Sequence, residues 1–157
     1  MKKVKFDNVV TAVALYAVLQ VLFAFPLTVL ALQVFGVTMV GHYSAGLSAV
    51  FLSMLVVGYL FNAEIRQERR GAVLRIVLLS AFYELLVVVF QPTLADWVPF
   101  AISKPKEAFD GTVVTTVEWF LYNLSRRGNM FVNVAVILGV GVLGLYAGLK
   151  LGETRAS

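Results

Sequence analysis

From Asn8 to Ala63 the chain runs 56 residues without one Asp, Glu, Lys or Arg, and His42 is the only side chain there that titrates near neutrality. A water-soluble fold needs charge on its exposed faces, so a gap of this length demands burial on all sides. A bilayer-spanning helix uses about 20 mainly apolar residues, and the gap holds two such helices and a short turn. The rest of the composition agrees. Apolar residues make up 60% of the chain and charged residues 14%, against roughly 45–50% and 25% in soluble domains.

The net charge of +4 does not point to nucleic acid, because the basic residues stand in short groups beside apolar segments, where positive-inside bias accounts for them. There is no cysteine and a single histidine, which removes disulfides, thiolate metal sites and bis-histidine haem ligation. No cofactor or metal is expected. Lys2, Lys3 and Lys5 resemble the start of a signal peptide, but the apolar run behind them far exceeds a 7–15-residue h-region and reads as a retained span.

The pattern predicts an all-α, polytopic membrane protein in one domain: four transmembrane helices in an up-down bundle over residues 9–35, 44–61, 72–90 and 130–149. Pro26 falls inside the first span, removes one backbone donor and is a candidate hinge. Residues 36–43, with Gly36 and Gly41, form the first connection, and residues 62–71 the second. Lys2, Lys3, Lys5, Arg66, Arg69, Arg70, Arg75, Lys150 and Arg155 fall on one side; Lys104, Lys106, Arg126 and Arg127 fall on the other. Nine against four places both termini in the cytoplasm of a cell-membrane protein.

The third connection, residues 91–129, is long. Pro92, Pro99 and Pro105 break its first half, and Trp97 and Trp119 suit the headgroup level. From 112 to 127 one face carries Val113, Val117, Phe120, Leu121 and Leu124, which predicts an amphipathic helix on the outer leaflet or over the outer end of the bundle. Asp96, Glu107, Asp110 and Glu118 match no metal-binding spacing, and Asn123 opens an N-glycosylation sequon. His42 reads as an interfacial hydrogen-bonding residue, with pH sensing as the sharper alternative.

Two constellations stand out. Gly41, Ala45, Ala49 and Ser53 recur every four residues on the second span, and Gly144, Gly148 and Gly152 on the fourth, preceded by Gly139 and Gly141. Such stripes let two backbones approach closely, inside the chain or against a partner. The other is Glu84, deep in the third span with an apolar run behind it. An ionisable group at that depth costs about 2.5–3.5 kcal/mol on insertion scales, so it must carry a proton, be paired or face a wet cavity. Ser80 lies one turn earlier on the same face, and by depth Gln20, Ser48 or Ser53 can reach it. No Lys or Arg lies at that depth.

No nucleotide, protease or esterase motif is present, so enzymatic activity is not expected. The preferred reading is an accessory or structural subunit acting through helix packing, with membrane lipid and other membrane subunits or a second copy as partners. The alternative is a small transporter or channel in which Glu84, with Ser80 and Gln20, binds a proton or cation.

Overall fold

The computed structural model describes residues 6–35, 39–90 and 129–156. These are almost wholly helical, with no strand among them. Four long helices, α1 (Phe6–Phe35), α2 (Met39–Leu60), α4 (Arg69–Val89) and α5 (Asn129–Ala156), are joined by a short fifth, α3 (Asn62–Gln67), between α2 and α4. Two are long and apolar enough to cross a membrane, over Asp7–Ala31 and Val134–Thr154, and α2 has a shorter apolar stretch at Ser44–Leu60. The predicted amphipathic helix over 112–127, the loop acids, both tryptophans and Asn123 lie outside the described residues.

The connections differ from expectation. α2 begins at Met39, so Gly41 and His42 belong to the helix rather than to the turn. Residues 62–71 are helical apart from Glu68, whose backbone (φ −143°, ψ 58°) separates α3 from α4. Ile65 explains the helix: it is buried among core residues, and that burial outweighs the polar neighbours that read as a loop. Glu68 then starts α4. Its carbonyl accepts from the Ala72 amide at 2.8 Å, and its carboxylate accepts from Arg75 Nη2 at 3.0 Å. Gly71 leaves room for that carboxylate, since a Cβ there would lie 2.5 Å from Glu68 Oε1. The acid also sits where the positive end of the α4 dipole favours it.

α2 packs between α1 and α5 with the most extensive contacts of the fold, while α4 touches α1 and α5 more sparingly. Glycine explains the α2–α5 closeness. A Cβ on Gly144 would overlap the Phe51 carbonyl, one on Gly148 the Leu55 carbonyl, and one on Gly58 the Leu145 carbonyl. Gly152 faces Asn62, whose side chain would lie 2.8–2.9 Å from an added Cβ. Gly141 faces Val50 and Met54, while a Cβ on Gly139 would meet nothing within 4 Å. Ala45, Ala49 and Ser53 are buried on α2; at 100° per residue they lie on the side of the helix opposite Phe51, Leu55 and Gly58. That side is the one left for α1. Pro26 is exposed, and α1 runs unbroken through it.

The end of the molecule near Glu68 is polar. Asn62 Nδ2 donates to the Leu149 carbonyl at 2.5 Å. Glu153 lies 3.5 Å from Arg66 Nε and 3.7 Å from Arg69 Nη1, and the Arg69 guanidinium stands 5.4 Å from the Tyr146 ring centroid. The ion pairs are half exposed and worth about 1 kcal/mol at most; the buried amide matters more. Asn62→Ala is expected to cost about 1 kcal/mol, read as a lower denaturation midpoint in detergent. An unchanged midpoint would remove Asn62 as a tie between α3 and α5.

Candidate functional site

Along one face of α4, residues four apart are buried: Ala72, Ile76, Ser80 and Glu84. Along the facing side of α1, Ala12 and Tyr16 are buried and Gln20 follows at the same spacing, partly buried. Side chains at i and i+4 stand one above the other on a helix, so two columns run side by side. Both begin apolar and turn polar at the same level.

There Glu84, 3% exposed, receives two donors from α1. The Tyr16 hydroxyl donates to Oε1, and Gln20 Nε2 donates to the same oxygen at 3.0 Å. Tyr83 closes one flank, its ring edge-on to Tyr16 with centroids 5.9 Å apart and planes at 82°. Such T-shaped pairs are favourable beyond their buried area and hold the Tyr16 ring in place. No Lys or Arg among the described residues forms an ion pair with Glu84. When neutral, a carboxyl group presents one carbonyl oxygen and one hydroxyl. With both donors aimed at Oε1, Oε1 takes the carbonyl role and Oε2 holds the proton.

Ser80 is fully buried, and its hydroxyl has no hydrogen-bond partner. Ser48, placed by depth near Glu84, is exposed instead, and Ser53 donates to the Ala49 carbonyl at 2.7 Å within its own helix. Tyr16 is the member that sequence reasoning missed. In an apolar run a tyrosine reads as one more hydrophobic residue; the signal was its position four before Gln20, matching Ser80 and Glu84 on α4. Among the described residues no three His, Cys, Asp or Glu side chains gather as a metal site would need.

The remaining singled-out residues lie elsewhere. Gly144, Gly148 and Gly152 face α2, Ala45, Ala49 and Ser53 occupy the other side of α2, and Gly41 stands near its start. No protein-family model, curated protein or solved structure matches the chain.

Proposed function

We propose that the chain is a multi-pass membrane protein in which Glu84 binds and releases a proton between α1 and α4, as the working group of a small transporter or channel. One observation carries this reading: the only interior carboxylate described as buried receives two hydrogen bonds from a second helix and pairs with no described base. Intramembrane acids mark ion and proton paths by default. The setting supports motion as well, since α4 packs more sparingly than α2. A helix held by a few polar links is the one a change of protonation can shift.

The membrane setting rests on length and surface. At 1.5 Å per residue the four long helices reach about 30 Å or more, enough for a hydrocarbon core. The apolar window of α1 is only 11% buried, whereas the core helix of a soluble protein is mostly buried. With four spans and both termini cytoplasmic, the Arg66, Arg69 and Glu153 end faces the cytoplasm.

The test is proton flux into liposomes containing the purified protein, driven by a potassium diffusion potential and followed with an internal pH dye. Glu84→Gln keeps the shape and a hydrogen-bonding oxygen but cannot titrate, so its flux is expected to fall to that of empty liposomes. Equal flux in the variant and the parent would end the reading.

A role as an accessory subunit has its own support. Leu74, Leu78, Phe82 and Leu86 form an exposed apolar row on α4, a surface for lipid or for a partner helix. Against it stands the glycine stripe of α5, already occupied by α2. Native mass measurement from mild detergent separates the two; a co-purifying membrane protein of fixed stoichiometry would favour the subunit.

A further inference from the structure

Arg69 joins the polar end of the molecule to an apolar strip along α5. Its guanidinium stands 5.4 Å from the Tyr146 ring centroid, within reach of a cation–π contact, while its Nη1 lies 3.7 Å from Glu153 Oε1. Arg66 of α3 approaches the same oxygen with Nε at 3.5 Å. One carboxylate oxygen thus serves two guanidinium groups, and the cluster of three holds a positive charge in excess. Its side chains are between 35% and 48% exposed, which leaves both arginines open to a second anion. Gly139, Tyr146 and Glu153 are spaced seven apart, so they lie nearly above one another on α5. Tyr146 and Leu143 beside it are exposed, and a Cβ on Gly139 would meet nothing within 4 Å. α4, which carries Arg69, touches α5 sparingly. From Val136, also exposed, to Tyr146 the helix rises about 15 Å, half of a hydrocarbon core of roughly 30 Å. The strip is therefore as deep as one leaflet.

We propose that an anionic phospholipid occupies this surface, its phosphate diester between Arg66 and Arg69 and one acyl chain along Gly139, Leu143 and Tyr146. The site rests on the membrane reading above and not on Glu84. Charge and shape both favour it. A phosphate diester carries one negative charge, so two arginines, Glu153 and the phosphate together are neutral. A guanidinium fork matches phosphate oxygens in pairs, and each arginine has more N–H donors than the shared Oε1 can accept. A choline headgroup would bring a positive charge back beside the arginines and lose that advantage. A free anion would gain nothing from the apolar strip. Positive-inside bias accounts for arginines at this end of the molecule, but not for two of them sharing one acid above an exposed tyrosine.

Native mass measurement of the protein in mild detergent, titrated with dioleoyl phosphatidylglycerol or dioleoyl phosphatidylcholine, reads the first bound lipid directly. The parent is expected to bind phosphatidylglycerol about tenfold more tightly. Arg66→Gln and Arg69→Gln are each expected to weaken that binding about fivefold. Glu153→Gln removes the competing carboxylate and is expected to tighten it by a similar factor, a gain that no folding defect imitates. Arg70→Gln is the control: it removes the same charge from an exposed position about 100° further round α4, and is expected to change binding less than about twofold. Equal affinity for the two lipids would overturn the site. So would equal losses in Arg69→Gln and Arg70→Gln, the mark of diffuse attraction. Inorganic phosphate binding as tightly as the lipid would make this a free-anion site and overturn the lipid assignment. All three results leave the flux test of Glu84→Gln untouched, so the lipid site and the proposed function fail separately. A chain that stays monomeric in water without detergent would end both.

Discussion

Gly148→Ala is expected to destabilise the protein by roughly 2–3 kcal/mol, at the upper end of what overpacking costs. The new methyl group would overlap the Leu55 carbonyl oxygen and lie 2.8 Å from both the Leu55 carbonyl carbon and the Tyr59 amide nitrogen. All three are main-chain atoms of a helix, so no rotamer change relieves them. α2 and α5 must separate, and the contacts above and below Gly148 loosen with it. Gly139 supplies the control on the same helix, because an added Cβ there meets nothing within 4 Å. Gly139→Ala is expected to be neutral or to stabilise by up to about 1 kcal/mol through helix propensity. The two substitutions are chemically identical and opposite in sign. Denaturation midpoints in detergent decide the matter, and equal midpoints would mean the two backbones do not approach as described.

Tyr16→Ala is expected to cost about 3–5 kcal/mol, the range for deleting a large buried aromatic side chain. The ring is among the largest fully buried side chains of the core, and it stacks edge-on with Tyr83. Tyr16→Phe isolates the hydroxyl. It keeps the ring and its packing but leaves Glu84 Oε1 with Gln20 as its one remaining described donor, at a cost of about 1–3 kcal/mol. Stability should therefore fall in the order parent, Tyr16→Phe, Tyr16→Ala. A double-mutant cycle with Glu84→Gln measures the coupling of hydroxyl to carboxyl. A coupling near zero would show that Tyr16 serves the core alone, and that α1 reaches Glu84 only through Gln20.

Much of this arrangement was legible before any coordinates. Glu84 stood out because an acid in an apolar run has few explanations, and counting depth from the helix ends led to Gln20. The lengths of the apolar runs were enough to locate all four long helices, though each extends beyond the range the sequence suggested at one end or both. Position along a span says which level a residue occupies but not which way it turns. Ser48 and Ser53 therefore shared a level with better candidates and face elsewhere. The stretch from Asn62 to Gly71 was read as a connection for a related reason: Asn, Glu, Arg and Gly are loop residues by frequency. Ile65 acts through core contacts that no local window contains, whereas Glu68 acts locally, through Gly71, Ala72 and Arg75, in a geometry that residue frequencies do not encode. The glycine stripe of α5 announced close packing, while its partner, α2, could come only from the tertiary structure.

That partnership bears on how the protein is made. α4 leaves the ribosome before α5, yet α2 relies chiefly on α1 and α5 for its contacts. Until α5 is made, the side of α2 bearing Phe51, Leu55 and Gly58 lacks the helix that covers it, and its carbonyls are shielded by nothing but their own helix. A nascent chain halted after α4 should thus remain open to capture by any other helix with a small-residue stripe, including the α5 of a neighbouring copy. Exchange of that helix between copies is a hazard built into the order of synthesis.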